Sequence, residues 1–269
     1  MEGKEKINIQ HPEAWELLVS IGDKRVDYIL YTPSVTGSLV VGGVDCVDDS
    51  LQALEDAIYD TPELLGEYKR VRVLVQSQRF VILPGDTADD DSIRLLSEAF
   101  PGDNGDTALC ALSQCGVKIA YLMPQGMSAF IGRTFSYPEV SHRLLPLCEH
   151  CAQQQSGIEV SRMCLNFQQD RMDVIVCRGN ALQLANIFMF NNARDAVYFA
   201  MAAWRACGLN QLNDELLLMG ERETCAELTP VLREYVKSVM PAEFPAEAMR
   251  LGRNAMQVPL ELILLALCA

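Results

Sequence analysis

The sequence predicts an α/β protein of two tandem halves, each with the element order β-β-β-α-β-α. Two strand-like runs separated by a polar turn open each half, within residues 15–31 and 162–177. A segment whose apolar residues have helical spacing follows the strands of each half. The two opening hairpins also share identical residues at one constant offset, which indicates an internal duplication.

The first half begins with two predicted strands between Trp15 and Tyr31, followed by a third strand over residues 38–42. The polar residues 48–50 offer an N-cap to a helix that starts at Leu51 and keeps its apolar side chains on one face. The first half therefore begins with three strands followed by a helix.

Strand and helix then alternate in the first half. Residues 70–84 predict two strands around a turn, residues 91–100 predict a short helix, and residues 117–123 predict an apolar strand after a loop rich in Gly and Asp. Residues 137–155 predict a helix that Pro146 should kink or split, because proline lacks the N–H that a helix interior requires.

The second half repeats this order, with a hairpin at 162–177, a strand at 182–190, a helix at 193–207 and a buried strand at 215–219. Helical segments are expected up to Val239, restarting at Pro230, because proline suits the first turn of a helix. The apolar residues 262–269 are too short to span a membrane and predict a packed terminal element. The polar stretch 152–157 is the predicted linker, which divides the chain into halves 1–155 and 156–269.

The duplication is clearest between residues 20–30 and 166–176. At an offset of 146 these segments share three identities, Arg25 with Arg171, Asp27 with Asp173, and Ile29 with Ile175. Any two hairpins share an alternating pattern, so the identities gain their weight from the shared order of elements around them.

The charge balance excludes some function classes. The 269 residues include 22 basic and 36 acidic side chains, a formal net charge of −14, and a nucleic-acid-binding protein needs a basic face instead. The charge is uneven, with 12 basic and 23 acidic residues in 1–155 against 10 and 13 in 156–269. Residues 45–63 and 86–106 each contain seven acids. They predict either a solvated shell or a docking surface for a basic partner.

The chain has no run of about 18 apolar residues, and its N-terminus is too charged for a secretory signal, so we expect a cytoplasmic protein without a membrane span. Its ten cysteines lie mostly in apolar contexts, which is typical of reduced core thiols. Cys148 and Cys151 form a CxxC pair, but no second pair supplies the remaining zinc ligands, so no metal is expected.

Three meandering strands, a helix, and then alternating strand and helix resemble the ribonuclease H-like fold, and two tandem copies resemble the actin-like ATPase superfamily. The similarity is clearest in the second strand of each hairpin, at residues 27–30 (Asp-Tyr-Ile-Leu) and 173–176 (Asp-Val-Ile-Val). Residues 216–220 look like the strand that ends at the superfamily's adenosine site. The whole chain resembles an uncharacterised bacterial domain-of-unknown-function family assigned this fold, with distant similarity to cell-division and pilus-assembly proteins.

The resemblance implies a nucleotide cleft lined by Ser20, Gly22, Lys24 and Gly220, with ATP and Mg²⁺ as the implied cofactors. In such an ATPase a carboxylate on the first strand holds Mg²⁺ or its water, and glycine in the turn admits phosphate. Here Ser20 and Asn166 replace the two carboxylates, and Gln168 replaces the second glycine. Glu221 also follows Gly220 where a second glycine is expected.

The loss of several catalytic groups together favours a non-catalytic scaffold or protein-interaction module, a pseudo-ATPase with no catalytic residue, no cofactor and no metal. The alternative is a nucleotide-binding ATPase or switch that ligates phosphate through Lys24 and backbone groups. The expected partner is an unidentified protein that binds the acidic first half, and a homodimer is one alternative.

Overall fold

The computed structural model describes residues 11–153 and 160–268. They form two five-stranded mixed sheets and a third sheet of three antiparallel strands. The boundary predicted between residues 155 and 156, and residues 154–157 of the predicted linker, lie outside the described residues, so the division into 1–155 and 156–269 stays a prediction.

The elements of the first half are β1 (Glu16–Ile21), β2 (Arg25–Tyr31), β3 (Val40–Asp45), α1 (Leu51–Tyr59), β4 (Arg70–Val75), β5 (Phe80–Pro84), α2 (Asp89–Ala99), β6 (Asp106–Leu112), β7 (Val117–Met123), α3 (Met127–Thr134), β8 (Glu139–His142) and α4 (Leu144–Gln153). Those of the second half are β9 (Ser161–Gln168), β10 (Arg171–Arg178), β11 (Ala181–Met189), α5 (Ala193–Ala206), β12 (Glu215–Gly220), α6 (Arg222–Leu232), β13 (Ser238–Pro241) and α7 (Leu260–Leu267).

The two large sheets have the same topology, which confirms the predicted duplicated fold. Their strand orders are β3-β2-β1-β4-β8 and β11-β10-β9-β12-β13. In each sheet the central strand, β1 or β9, pairs antiparallel with the next strand of its hairpin and parallel with the strand after the helix. The hairpins that were predicted to be repeats therefore occupy equivalent places.

Capping explains where the equivalent helices α1 and α5 begin. The Ser50 hydroxyl accepts a hydrogen bond from the Ala53 N–H at 3.1 Å. Asn192 does the same for the first turn of α5, accepting from the Arg194 N–H at 3.0 Å and from the Asp195 N–H at 3.1 Å. Each cap satisfies N–H groups that have no partner within their helix.

An insertion distinguishes the first half from the second. Between β4 and β8 the chain forms the three-stranded sheet β5-β7-β6, with α2 packed on it through Leu96, Ala120 and Leu122. The two strands predicted within 70–84 therefore belong to different sheets. The loop rich in Gly and Asp that was predicted up to residue 107 ends at β6, which the sequence did not predict because its exposed positions weaken the apolar signal of a strand.

Two helical predictions are wrong in part. Residues 139–142 form β8 instead of helix, so α4 starts at Leu144 and Pro146 lies in its first turn, where no N–H is required and no kink results. Residues 238–241 form β13 instead of helix, and Pro230 lies inside α6 near its end. The fifth strand of each sheet has only four residues, too few to show a period.

The helices α4 and α7, which end the two halves, pack against each other and against opposite sheets. α4 lies on β10 and β11, whereas α7 lies on β1. The terminal element predicted from the apolar tail is thus confirmed as α7. The buried Arg72 fixes its C-terminal end, donating to the carbonyl oxygens of Leu265 at 2.6 Å and Cys268 at 2.8 Å.

Within the described ranges, no helix combines the length and the apolar character that a membrane crossing needs.

Candidate functional site

A cleft lies between the two halves, where the turns of the β1–β2 and β9–β10 hairpins face the end of β12 and the start of α7. It encloses a cavity of about 1240 Å³. All four residues predicted to hold a nucleotide line it, namely Ser20, Gly22, Lys24 and Gly220. Asn166 and Gln168, the two substituted positions of the second hairpin, line it as well.

The first-half side of the cleft is open. Gly22 closes the hairpin turn by donating its N–H to the Arg25 carbonyl at 2.9 Å. Lys24, at the tip of this turn, is exposed to solvent. Its ammonium group is therefore available to a ligand in the cleft or to bulk water.

Ser20 lies opposite Asp27 in the β1–β2 register, so the hydroxyl and the carboxylate share one end of the hairpin. Asp27 accepts a hydrogen bond from Arg25 at 2.8 Å, and the same guanidinium reaches Asp45 on β3 at 2.6 Å. Burial raises the pKa of Asp27, and Arg25 partly offsets this effect. The basic partner of Asp27 is thus a residue of its own strand, β2.

The second-half side of the cleft is occupied by the protein's own side chains. Asn166 and Asp173 are opposite each other in the β9–β10 register, and the Asn166 amide donates to the Asp173 carboxylate at 2.8 Å. The guanidinium of Arg143, which lies between β8 and α4, forms a salt bridge with the same carboxylate. All three residues are fully buried, so each charge depends on its partner.

Gln168 connects the Arg143–Asp173 ion pair to α7. Its side-chain oxygen accepts from Arg143 at 2.9 Å and also from Arg171, and its amide donates to the Glu261 carboxylate at 2.8 Å. Glu261 lies 3.6 Å from the Arg143 guanidinium and is 2% exposed. We call these six residues the buried network: Arg143, Asn166, Gln168, Arg171, Asp173 and Glu261.

Burial dominates the electrostatics of the buried network. It raises the pKa of Asp173, with Arg143 and Arg171 opposing the shift, and it lowers the pKa of Arg171. Two cations and two carboxylates balance formally, and their hydrogen bonds replace part of the lost hydration. A phosphate on this side would have to displace Gln168 from three partners.

Gly220 ends β12 in the left-handed conformation, with φ of 87°. A Cβ atom here would clash with the backbone oxygen of Phe167 and come within 2.8 Å of the Asn166 side-chain oxygen. The glycine is therefore required by the close approach of β12 and β9. Glu221, which follows it, also lines the cleft and places a carboxylate beside the start of α6, where it opposes phosphate binding.

The comparisons with known proteins agree with this architecture. A family model described as "Protein of unknown function (DUF3822)" matches residues 4–239, most of the sequence. The chain belongs to the DUF3822 family. No curated protein sequence matches this DUF3822 protein.

Solved structures show its fold. A Bacteroides thetaiotaomicron protein with an actin-like ATPase fold and unknown function is similar with a TM-score of 0.78 and 20% identity, covering 95% of this chain and 99% of that one. The PilM–PilN type IV pilus biogenesis complex is similar with a TM-score of 0.53 and 12% identity, covering 95% of this chain and 98% of that one. The cytoplasmic domain of EpsL, from the type II secretion system of Vibrio cholerae, is similar with a TM-score of 0.50 and 12% identity, covering 94% of this chain and 95% of that one. This DUF3822 protein therefore has the actin-like fold.

Cys148 and Cys151 lie in the core on α4, at 0% and 2% exposure, as the sequence predicts for reduced thiols. Burial raises the pKa of Cys148, and a neighbouring thiol, Cys164, together with burial raises the pKa of Cys151. Within residues 11–153 and 160–268, no group of three or more His, Cys, Asp and Glu side chains is arranged to hold a metal ion.

Sequence reasoning missed Arg143 and Glu261, which complete the buried network. A signal was present for both, because each is a charge that adjoins or interrupts an apolar run: Arg143 directly precedes Leu144 and Leu145, and Glu261 interrupts the apolar tail. A charge in such a run is buried only when a partner accompanies it. The sequence could not show which partner that is.

Proposed function

We propose that this DUF3822 protein is a non-catalytic actin-like scaffold that works by binding another protein. One observation carries the proposal: the positions that would hold Mg²⁺ and phosphate in the second half, Asn166 and Gln168, are engaged in the buried network. Because removing a single transition-state donor costs about 2.7–4 kcal/mol, the joint replacement of both carboxylates and the turn glycine argues against phosphoryl transfer.

Nucleotide turnover tests this proposal. Incubation with Mg-ATP is expected to release no phosphate above a protein-free blank. The matched control is Gly22→Val, which narrows the open side of the cleft while leaving the buried network in place. Turnover by the wild-type protein that Gly22→Val abolishes, with its circular dichroism unchanged, would refute the scaffold proposal.

A nucleotide-dependent switch is the second candidate, and one observation favours it: the exposed Lys24 lies at a cleft with room for a nucleotide. A ligand at about 100 times its Kd stabilises a fold by about 2.7 kcal/mol, which a thermal melt detects easily. We expect the melting temperature to be the same with ATP, ADP or Mg²⁺ as without them. A rise that Lys24→Ala removes would establish the switch instead.

The partner surface of the proposed scaffold is the acidic segment 45–63, which includes α1. Asp49, Asp56 and Asp60 are exposed and form no ion pair with the described residues, and Val47 in the same segment is 91% exposed. A segment that presents both unpaired carboxylates and an exposed apolar side chain suits a partner that is both basic and apolar.

The second acidic segment, 86–106, is a weaker candidate because its carboxylates are largely neutralised within the chain. Its ion pairs are Asp89 with Lys118, Asp91 and Glu98 with Arg94, and Asp103 with Arg79. In segment 45–63 only Asp45 and Glu55 form ion pairs within the described part of the chain, with Arg25 and Arg133. The two segments have similar composition, so this difference in pairing separates them as docking surfaces.

Charge reversal separates the two segments experimentally. Affinity capture with wild-type protein is compared with Asp49→Lys/Asp56→Lys and with the control Asp86→Lys/Asp90→Lys. We expect the first variant to lose a captured partner that the control retains, and we expect added salt to weaken capture by the wild type. Capture that both variants retain equally would contradict the assignment of the surface.

We also propose a cytoplasmic location in a bacterium. All ten cysteines are free thiols, which suits a reducing compartment. Expression of a tagged copy followed by fractionation would check this, and recovery of an oxidised, exported protein would contradict it.

A further inference from the structure

The strand β11 is an unprotected sheet edge. It is the last strand on one side of the second sheet and, at nine residues, the longest strand in the described ranges. Its sequence, ALQLANIFM, contains no charged residue, no proline and no glycine. The Ile187 N–H donates to the side chain of Asn186 at 2.9 Å, so this amide is satisfied locally and not by another strand.

The other terminal strands carry the devices that prevent edge pairing. β5 ends in Pro84 and β13 ends in Pro241. β6 and β8 lie against each other. The chain before β3 is held by backbone hydrogen bonds from Gly37 and Leu39 to the segment 250–251, and β3 itself contains two glycines. β11 has none of these features. Its one irregularity is a shift of register against β10 between Val176 and Cys177, which leaves residues 184–189 in regular pairing.

An aromatic cluster lies beside this edge, on the face covered by α5. Phe188 of β11 stacks on Phe199 with ring centroids 5.0 Å apart and planes inclined by 14°. Tyr198 contacts Phe199 edge-on at 5.5 Å and is 69% exposed. The apolar surface therefore continues from the strand edge onto the helix, and it ends in an aromatic side chain that faces solvent.

We infer that β11 is a dimer interface, on which the β11 strand of a second copy of this chain pairs antiparallel. Antiparallel pairing of identical edges places a two-fold axis perpendicular to the sheet, so both copies keep α5 and its aromatic cluster on the same face. The pairing joins two five-stranded sheets into one continuous sheet.

Charge distribution favours a second copy as the occupant. The chain carries −14 in total, so self-association must occur where like charges are sparse. The second half has 10 basic and 13 acidic residues, and β11 has no charge at all. The acidic segment 45–63 lies in the other half of the molecule. This inference does not depend on what the cleft binds or on the proposed scaffold function.

Sedimentation equilibrium of the full chain tests the interface. We expect a dimer for the wild type at about 100 µM. In the variant Gln183→Lys/Tyr198→Lys, two exposed side chains become charged at each copy of the edge. The dissociation constant should rise by at least about tenfold, because like charges then face each other across the axis.

The matched control is Gln211→Lys/Leu212→Lys, which replaces a second exposed glutamine and an apolar residue that is likewise 69% exposed, in the same half but away from β11. It should dimerise as tightly as the wild type, and both variants should melt at the wild-type temperature. A wild type that stays monomeric up to about 100 µM, or equal weakening by both variants, would overturn the inference.

Discussion

The two hairpins that face the cleft share one topology but differ in what surrounds their polar residues. At the β1–β2 hairpin, Arg25 and Asp27 form an ion pair whose side chains are 49% and 24% exposed. At the β9–β10 hairpin, Asp173 is paired with Arg143 at 0% and 1% exposure. The two halves thus share a backbone topology, but the polar residues of the second hairpin are buried whereas those of the first are partly exposed.

This difference is the basis for the proposal that the protein keeps the actin-like fold without phosphoryl transfer. The actin-like topology needs the hairpins and their register, and both are intact in each half. Phosphate chemistry needs free polar groups at the ends of those strands. In the second half, the polar groups at these positions are used to hold β9, α4 and α7 together.

The largest predicted effect concerns the buried ion pair. Arg143→Met removes the cation that faces both Asp173 and Glu261, so it should lower the free energy of unfolding by about 3–5 kcal/mol. Arg25→Met, at the exposed ion pair of the first hairpin, should cost less than about 1 kcal/mol. Urea denaturation measures both. Equal losses in the two variants would remove the contrast between the hairpins.

His142, directly before Arg143 and packed against Phe80 and Tyr121, makes the first half of the molecule sensitive to acid. Burial lowers its pKa to about 4, and its ring accepts from the Leu144 N–H at 3.2 Å and contacts the Ser77 carbonyl at 2.9 Å. The folded state therefore binds this proton less readily than the unfolded state, whose value is near 6.5. As the pH falls from about 6.5 to 4, the free energy of unfolding should decrease by about 3 kcal/mol.

Urea denaturation at several pH values checks this dependence. The variant His142→Gln keeps a donor and an acceptor but cannot be protonated. Its free energy of unfolding should therefore decrease less than that of the wild type between pH 6.5 and 4. An unchanged slope in the variant would show that other groups dominate acid sensitivity.

The two glycines of the cleft should respond differently to alanine. Gly220 has a positive φ and no room for a Cβ atom, so Gly220→Ala should cost at least about 2 kcal/mol. A Cβ on Gly22 would lie 3.3 Å from the Arg25 carbonyl oxygen, a tight contact without left-handed strain, so Gly22→Ala should cost less than about 1 kcal/mol. Thermal melts of the two variants compare them directly.

The smallest effect is expected at Lys24. Its side chain is exposed, so Lys24→Ala should change the free energy of unfolding by less than about 0.5 kcal/mol. A larger loss would mean that the open side of the cleft is also built into the fold. Urea denaturation in parallel with Gly22→Ala provides the comparison.

The sequence predicts the repeated plan because hairpins and amphipathic helices are local features. Strands β1, β2, β9 and β10 follow from alternating apolar runs, and Ser50 and Asn192 mark helix starts through their own side chains. The four-residue strands β8 and β13 are too short for periodicity. Their assignment depends on pairing with strands that are distant in the sequence.

Only the part of the candidate site that lies on the repeated hairpins can be predicted from the sequence. The hairpin positions Ser20 and Asn166 follow from the repeat, and the structure brings both to one cleft. Arg143 directly precedes α4 and Glu261 lies in α7, and the packing of these two helices against opposite sheets is a property of the whole fold. No spacing in the chain links either residue to Asp173.

Because α4 packs on the second sheet and α7 on the first, the order of synthesis affects how the protein folds. Leu262 and Ile263 of α7 complete the apolar face of the first sheet, against Leu18 and Leu74. A ribosome synthesises these two helical residues more than 180 residues after Leu74. The N-terminal sheet therefore remains incompletely covered during most of translation, and its final packing is coupled to completion of the second half.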